Sequence, residues 1–321
     1  MNNGASKYNA QYKTGDLIYR NTALGTPGPG WLNLSTTQTV PVFSALGRLL
    51  PVYSNWTTQT SNFGASTINA VAYGNGTWVA AGVGGTLRTS TDAINWNTQT
   101  SGWSATTICS VAYGNGTWVA VGTQSTGQVR TSTDNGVTWS SQTTNLLSAQ
   151  PFSVAYGDGT WVLVASLGYL RTSTNNGVTW TTQTSQFGTS AICSVAYGNG
   201  VWVAGGAGGT LRTSTDAVNW NTQTSNFGAS QINSVAYGNG VWVAIGSGGA
   251  IRTSANNGVT WNTQTSNFGG SQLSAVAYGN GTWVGGTSNG IIRTVSLYGG
   301  DDYTIYSMSS PPLGYTPWLK T

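Results

Sequence analysis

One unit recurs six times along this chain. It reads VAYGNGTWVA or a close variant, then a short Gly-rich stretch, then LRTSTD or a variant, then W-x-x-QT. The VAYG copies begin at Val71, Val111, Val154, Val195, Val235 and Val276, in steps of 40 to 43 residues. Apolar and polar residues alternate within each copy. That is the period of a half-buried strand, not the three-and-four spacing of a helix. Solenoid repeats of this length are helical, whereas a repeat of roughly 40–45 residues holding several short strands is the pattern of a propeller blade.

The second copy shows how one unit folds. Ser110–Tyr113 reads as a strand, Gly114-Asn115-Gly116 as a tight turn, and Trp118–Val121 as the returning strand. Asn-Gly between alternating apolar runs is the strongest short hairpin signal. A third strand is predicted over Gln128–Ser132, a turn at Asp134-Asn135-Gly136, and a fourth strand over Val137–Thr143. Residues 55–60 resemble a fourth strand placed before any first strand, and the last copy lacks its own W-x-x-QT. The two ends therefore complete each other. The expected fold is all-β: a six-bladed propeller of four-stranded blades at 54–296, closed by that early outer strand, with irregular arms at 1–53 and 297–321. Twelve of the 15 Trp are periodic, six near the second strand and six at the fourth, and read as core between blades.

Composition restricts the chemistry. Charged residues are 6% of the chain, all seven acids are Asp, and there is no His and no Glu. The usual general base and the commonest metal ligand are missing, so no catalytic residue, no metal and no cofactor are expected. The net charge is +4, but the basic residues are spread singly, six of them as one Arg per repeat. A nucleic-acid groove needs a contiguous basic stripe, and none is visible. Cys109 and Cys193 occupy equivalent positions two blades apart and read as unbridged small core residues. The start of the chain has no signal-peptide h-region, and no run is long and apolar enough for membrane insertion. A sparsely charged, surface-like composition without an export signal fits a virion protein made in the host cytoplasm.

The segment STDNGVTW (Ser132–Trp139) resembles the Asp-box, Ser-x-Asp-x-Gly-x-x-Trp, of sialidase-type propellers. STNNGVTW (Ser173–Trp180) and SANNGVTW (Ser254–Trp261) carry Asn for Asp, while STDAINW (Ser90–Trp96) and STDAVNW (Ser214–Trp220) are one residue shorter. With GGTLRTSTD ahead of it, the unit is also similar to the repeat of photosystem II assembly-factor-like propellers. The resemblance implies a structural turn at the Asp-box. It does not extend to sialidase chemistry, which pairs a Tyr nucleophile with a Glu that this chain lacks. Near the start, TGDLIYRNTALG and GWLNLS resemble attachment segments of phage tail-fibre proteins. Residues 1–53 and 297–321 are accordingly expected to dock onto other virion proteins or onto identical copies of the chain.

Two rings of residues are candidates for ligand binding. Loops between one unit and the next carry Phe63, Trp103, Phe187, Phe227 and Phe268, with Leu146 at the equivalent place in the divergent loop. Aromatic faces flanked by Asn, Ser and Gln suit sugars, though their regular recurrence also fits packing between blades. The other ring is Arg88, Arg130, Arg171, Arg212, Arg252 and Arg293, which either hold acidic sugars or phosphates or pair with backbone carbonyls. Trp103 breaks the repeat and is singled out for function. The expectation is a non-enzymatic virion protein of a tail or fibre that binds host cell-surface glycans. A purely structural scaffold is the first alternative and a sialidase-like glycosidase the second.

Overall fold

The computed structural model describes residues 17–21, 31–33, 62–64, 66–123, 128–144, 146, 149–266, 268–279, 281–288, 291–296 and 315–320. The chain divides into two compact units, Met1–Thr58 with Gly300–Thr321, and Gln59–Gly299. In the first unit, strands Leu17–Asn21 and Trp31–Asn33 each pair antiparallel with Tyr315–Lys320, which runs between them. The two ends, expected as separate arms, thus share one three-stranded sheet.

Among the described residues the second unit is a row of six antiparallel sheets, five of four strands in chain order and the last of three. The third blade is representative: Pro151–Gly157, Thr160–Ala165, Leu170–Ser173 and Thr181–Gln183. Its first two strands turn at Asp158 and Gly159, with φ of 46° and 73°. Both values are left-handed, as a type I′ hairpin turn requires, and Asn115-Gly116 and Asn199-Gly200 adopt the same form. Asp158 therefore stands in for a turn Asn.

The fourth strand is shorter than the sequence predicts. In the second blade it covers Ser140–Gln142, because residues 134–138 are held in a closed turn. Asp134 Oδ1 accepts from Ser132 Oγ (2.7 Å) and Thr138 N (2.9 Å), and Oδ2 accepts from Thr138 Oγ1 (2.6 Å). The Trp139 indole N–H closes the turn on Gly136 O at 2.9 Å. Where Asn175 replaces Asp, Oδ1 makes the same bonds and Nδ2 donates to Thr179 Oγ1 at 2.8 Å, so only the last bond reverses direction. In the shorter turns one carboxylate oxygen of Asp92 or Asp216 accepts two successive backbone N–H groups.

First strands lie against the first strands of adjacent blades, which makes them the inner edge of the array. The contact between blades has one form. The Tyr of each VAYG lies over the Gly that ends the previous blade's first strand: Tyr113 on Gly74, Tyr156 on Gly114, Tyr197 on Gly157, Tyr237 on Gly198 and Tyr278 on Gly238. Each Tyr also tilts against the Trp of its own hairpin, with ring centroids 4.8–5.1 Å apart in blades 2 to 6. Core clusters fill each junction. Between the first two blades they join Val79, Ala81 and Leu87 to Ile108, Trp118 and Trp139.

Between the sixth and first blades the described residues leave both halves of this contact unused. Tyr73 is 57% exposed and Val71 54%, against 4–7% for Val111, Val154, Val195 and Val235 at the matching position. Nothing lies within 4 Å of where a Cβ would stand on Gly279. Residues 55–60, expected to complete the sixth blade and close the ring, lie outside the described residues, as does Trp56.

Asp134→Asn is expected to move the melting midpoint by less than about 3 °C, because Asn175 and Asn256 already close the same turn; Asp134→Ala should lower it further. The bonds from the Asn95 and Asn219 backbones, first among several, hold the Asp92 and Asp216 carboxyls well below the usual carboxylate range. Burial pushes Asp134 up, but bonds from Thr138 and Ser132 outweigh it and leave that carboxyl lowered too. Their stabilisation is present above the unfolded carboxylate pKa of about 4 and is lost as pH falls below it. Thermal melts at pH 7 and pH 3 check both statements. A midpoint that does not fall in acid would contradict them.

Candidate functional site

Three of the rim loops are built the same way. In S-N-F-G and its variants, Asn62, Gln186 and Asn226 take left-handed φ of 59–62°, which aims their carbonyls at the following blade's Arg. Arg88 donates through Nε (3.2 Å) and Nη2 (2.7 Å) to Asn62 O, and through Nη1 to Leu87 O at 2.9 Å. Arg252 repeats this on Asn226 O and Ile251 O. Arg212 donates to Gln186 O and Leu211 O. In three loops a buried Ser ties the loop to the neighbouring second-to-third-strand turn: Ser101 Oγ to Gly85 O, Ser185 Oγ to Gly168 O and Ser225 Oγ to Gly209 O, each at 2.6 Å.

The structure joins the two candidate rings into one. Each guanidinium stands over an aromatic ring: Arg88 on Phe63, Arg130 on Trp103, Arg212 on Phe187, Arg252 on Phe227 and Arg293 on Phe268, at 4.9–5.4 Å from the centroid. Leu146 takes the aromatic's place in the divergent loop, fully buried. Leucine cannot bind a cation by its face, and Arg171 stacks instead on Tyr169, which stands where the other repeats carry Thr86, Gln128, Thr210, Ala250 and Ile291, at 5.6 Å. Burial lowers the Arg130, Arg171 and Arg212 guanidiniums from their ordinary value.

All five rim aromatics are at most 7% exposed. Trp103 is packed with Leu87, Ile108 and Trp118 between the first two blades, and Phe187, Phe227 and Phe268 fill the later junctions. One face of each ring is covered by Arg and the remainder by the blades, so none offers an open stacking platform. The expectation that Trp103 stands out for ligand is corrected on this point: its departure from Phe is accommodated as core. Among the described residues the carboxylates of Asp92, Asp134 and Asp216 are committed to capping turns. Among the described residues no group of three His, Cys, Asp or Glu could hold a metal ion.

A third ring was not singled out from the sequence. Every first strand carries a register shift at the second residue before VAYG, which is Asn69, Cys109, Phe152, Cys193, Asn233 or Ser274. A bulge of this kind leaves one residue unpaired and re-aims its side chain. Five of these residues, with Gln231, line one cavity of about 510 Å³ on the inner edge of the array. The Asn69 and Asn233 amides donate to the next blade's Ile108 O (3.0 Å) and Leu273 O (2.7 Å). The signal was available: VAYG is invariant in the six copies, while this position reads Asn, Cys, Phe, Cys, Asn, Ser.

Solved structures share the fold. YCF48 bound to a D1 peptide superposes with a TM-score of 0.58 at 15% identity, covering 72% of this chain and 78% of that one. YCF48 is a photosystem II assembly factor with a propeller fold. The fold here is a β-propeller. YCF48 from Cyanidioschyzon merolae gives 0.54 at 16% identity over 73% of this chain and 87% of that one. The computationally designed Ika8 protein gives 0.52 at 14% over 72% and 84%. These identities speak for the fold alone. No family model and no curated protein matches the chain.

Trp103→Ala is expected to lower the melting midpoint by at least about 5 °C, since truncating a buried Trp costs roughly 3–5 kcal/mol. Thermal unfolding followed by circular dichroism measures it. A midpoint unchanged within 2 °C, on the order of the error implied by a sub-kcal effect, would show that the ring is not core.

Proposed function

We propose that this propeller is a non-enzymatic attachment protein of a virion appendage, that it binds host surface glycans, and that its terminal unit docks it to other virion proteins. One observation carries the non-enzymatic part. Of the four Asp among the described residues, Asp92, Asp134 and Asp216 are spent on closing turns and Asp158 occupies a hairpin turn; Asp16, Asp301 and Asp302 lie outside the described residues, and the sequence has no Glu or His. Glycoside hydrolysis in its usual form needs two carboxyls facing each other across the bond that breaks. Neutral amides and hydroxyls dominate instead, and these match the donor and acceptor pattern of a sugar. The resemblance of TGDLIYRNTALG and GWLNLS to tail-fibre segments supports the virion setting. Synthesis in the host cytoplasm and assembly with identical copies belong to the same reading, and repetition would raise weak affinity through avidity.

The buried rim favours a second reading, a scaffold without a ligand, because residues that could have stacked sugars hold the blades together instead. One structural neighbour is a propeller bound to a peptide, so a protein partner fits that reading.

The full chain, displayed in many copies on beads, is expected to bind at least one surface polysaccharide of the host on a glycan array and to release no sugar from it. Absence of binding would favour the scaffold. Released monosaccharide, detected by mass spectrometry, would restore the glycosidase.

A further inference from the structure

We propose that the ring of bulged residues at the inner edge is a binding site for a neutral pyranose, the end or a branch of a glycan chain. The inference deepens the glycan reading above and rests on it.

Three observations converge on this place. The bulge recurs in all six first strands at the same residue, so the backbone re-aims six side chains by one mechanism. The chain varies those side chains while keeping VAYG unchanged beside them. Packing alone would favour repetition here, as it does at the Tyr and Gly next to it. Finally, the cavity they line, about 510 Å³, falls within the range that small-molecule sites occupy, roughly 300–1,000 Å³.

The lining chemistry selects the ligand. Asn69, Cys109, Phe152, Cys193, Gln231 and Asn233 are all neutral side chains, so a charged ligand would lose solvation with no counter-charge. The Asn69 and Asn233 side chains are anchored through Nδ2 to the next blade, which fixes the amide planes and leaves Oδ1 and the second N–H for hydroxyl groups. Phe152 supplies the apolar face. It is half-buried, and none of the six rim guanidiniums stands over it. A pyranose has that combination, an apolar C–H face edged by hydroxyls.

The two thiols of the chain both line the cavity, which gives a direct report of occupancy. The full chain is treated with iodoacetamide at about pH 9, where thiols raised by burial still react. Neutral methyl glycosides of glucose, galactose, mannose and N-acetylglucosamine are added in turn, with erythritol as a small polyol control. At least one glycoside is expected to slow modification of Cys109 and Cys193 by about threefold or more, saturably, while erythritol does not. Phe152→Ala and Asn233→Ala should each raise the half-protecting concentration by roughly tenfold, and Phe152→Tyr should restore it. If no glycoside protects the thiols yet the full chain binds the glycan array, the sugar site is elsewhere and this proposal falls alone. If neither occurs, both readings fall. Protection that survives Phe152→Ala unchanged would also overturn the assignment. Should that variant fail to fold, protection in the unaltered chain and in Asn233→Ala decides the matter.

Discussion

The contact of one tyrosine with the glycine of the preceding blade sets the geometry of the whole array. A Cβ on Gly157 would stand 2.1 Å from the Tyr197 ring, and the other four junctions give 2.1–2.3 Å. No real Cβ approaches a ring so closely, so the glycine is required by the tyrosine rather than by its own backbone, whose φ is not left-handed. The Tyr in turn is backed by the Trp of its own hairpin, as with Tyr197 and Trp202 at 4.8 Å. The blades consequently approach at one fixed separation at the inner edge. The Ser next to VAYG then bonds across the junction, from Val195 N to Ser153 Oγ at 3.3 Å and likewise in three other junctions.

Everything farther out follows from that spacing. With inner edges fixed, the outer parts of neighbouring blades leave a wedge, filled by the periodic Trp of the turns and by the rim Phe. The arginine adds the last layer. Its guanidinium covers the Phe face and satisfies the carbonyl of a left-handed loop residue, so a chain with few acids still finds partners for its cations. An exposed ion pair would give little stability in any case, whereas a partly desolvated cation on a ring gives more. The replacement of Phe by Leu146, with Tyr169 supplied to Arg171, shows the pair being conserved as a unit within the molecule even when one partner moves.

The fold was legible because its signals are local. Alternation marks the strands, and Gly114-Asn115-Gly116 marks a turn whose two central residues both need positive φ. The third strand of the second blade covers Gln128–Ser132, the range its residues indicate. The rim was harder to read. Phe187 and Trp103 recur once per repeat but sit in loops without strand alternation, and whether such a ring is open or buried depends on a neighbouring blade some forty residues away. The fourth strands were read too long because the Asp134 turn captures residues that a strand would otherwise use. The variation at Phe152 and Asn233 beside an unchanging VAYG is visible in the sequence, but a bulge has no composition signature, so only the register shows that these side chains are re-aimed.

A double-mutant cycle on Gly157 and Tyr197 tests the tyrosine–glycine contact most directly. Gly157→Ala in the otherwise unaltered chain should destabilise by roughly 1–3 kcal/mol through overpacking, and in a Tyr197→Ala background it should cost close to nothing, a coupling of about the same size. An equal cost of Gly157→Ala in both backgrounds would show that the ring does not dictate the glycine, and the blades would need another explanation for their spacing.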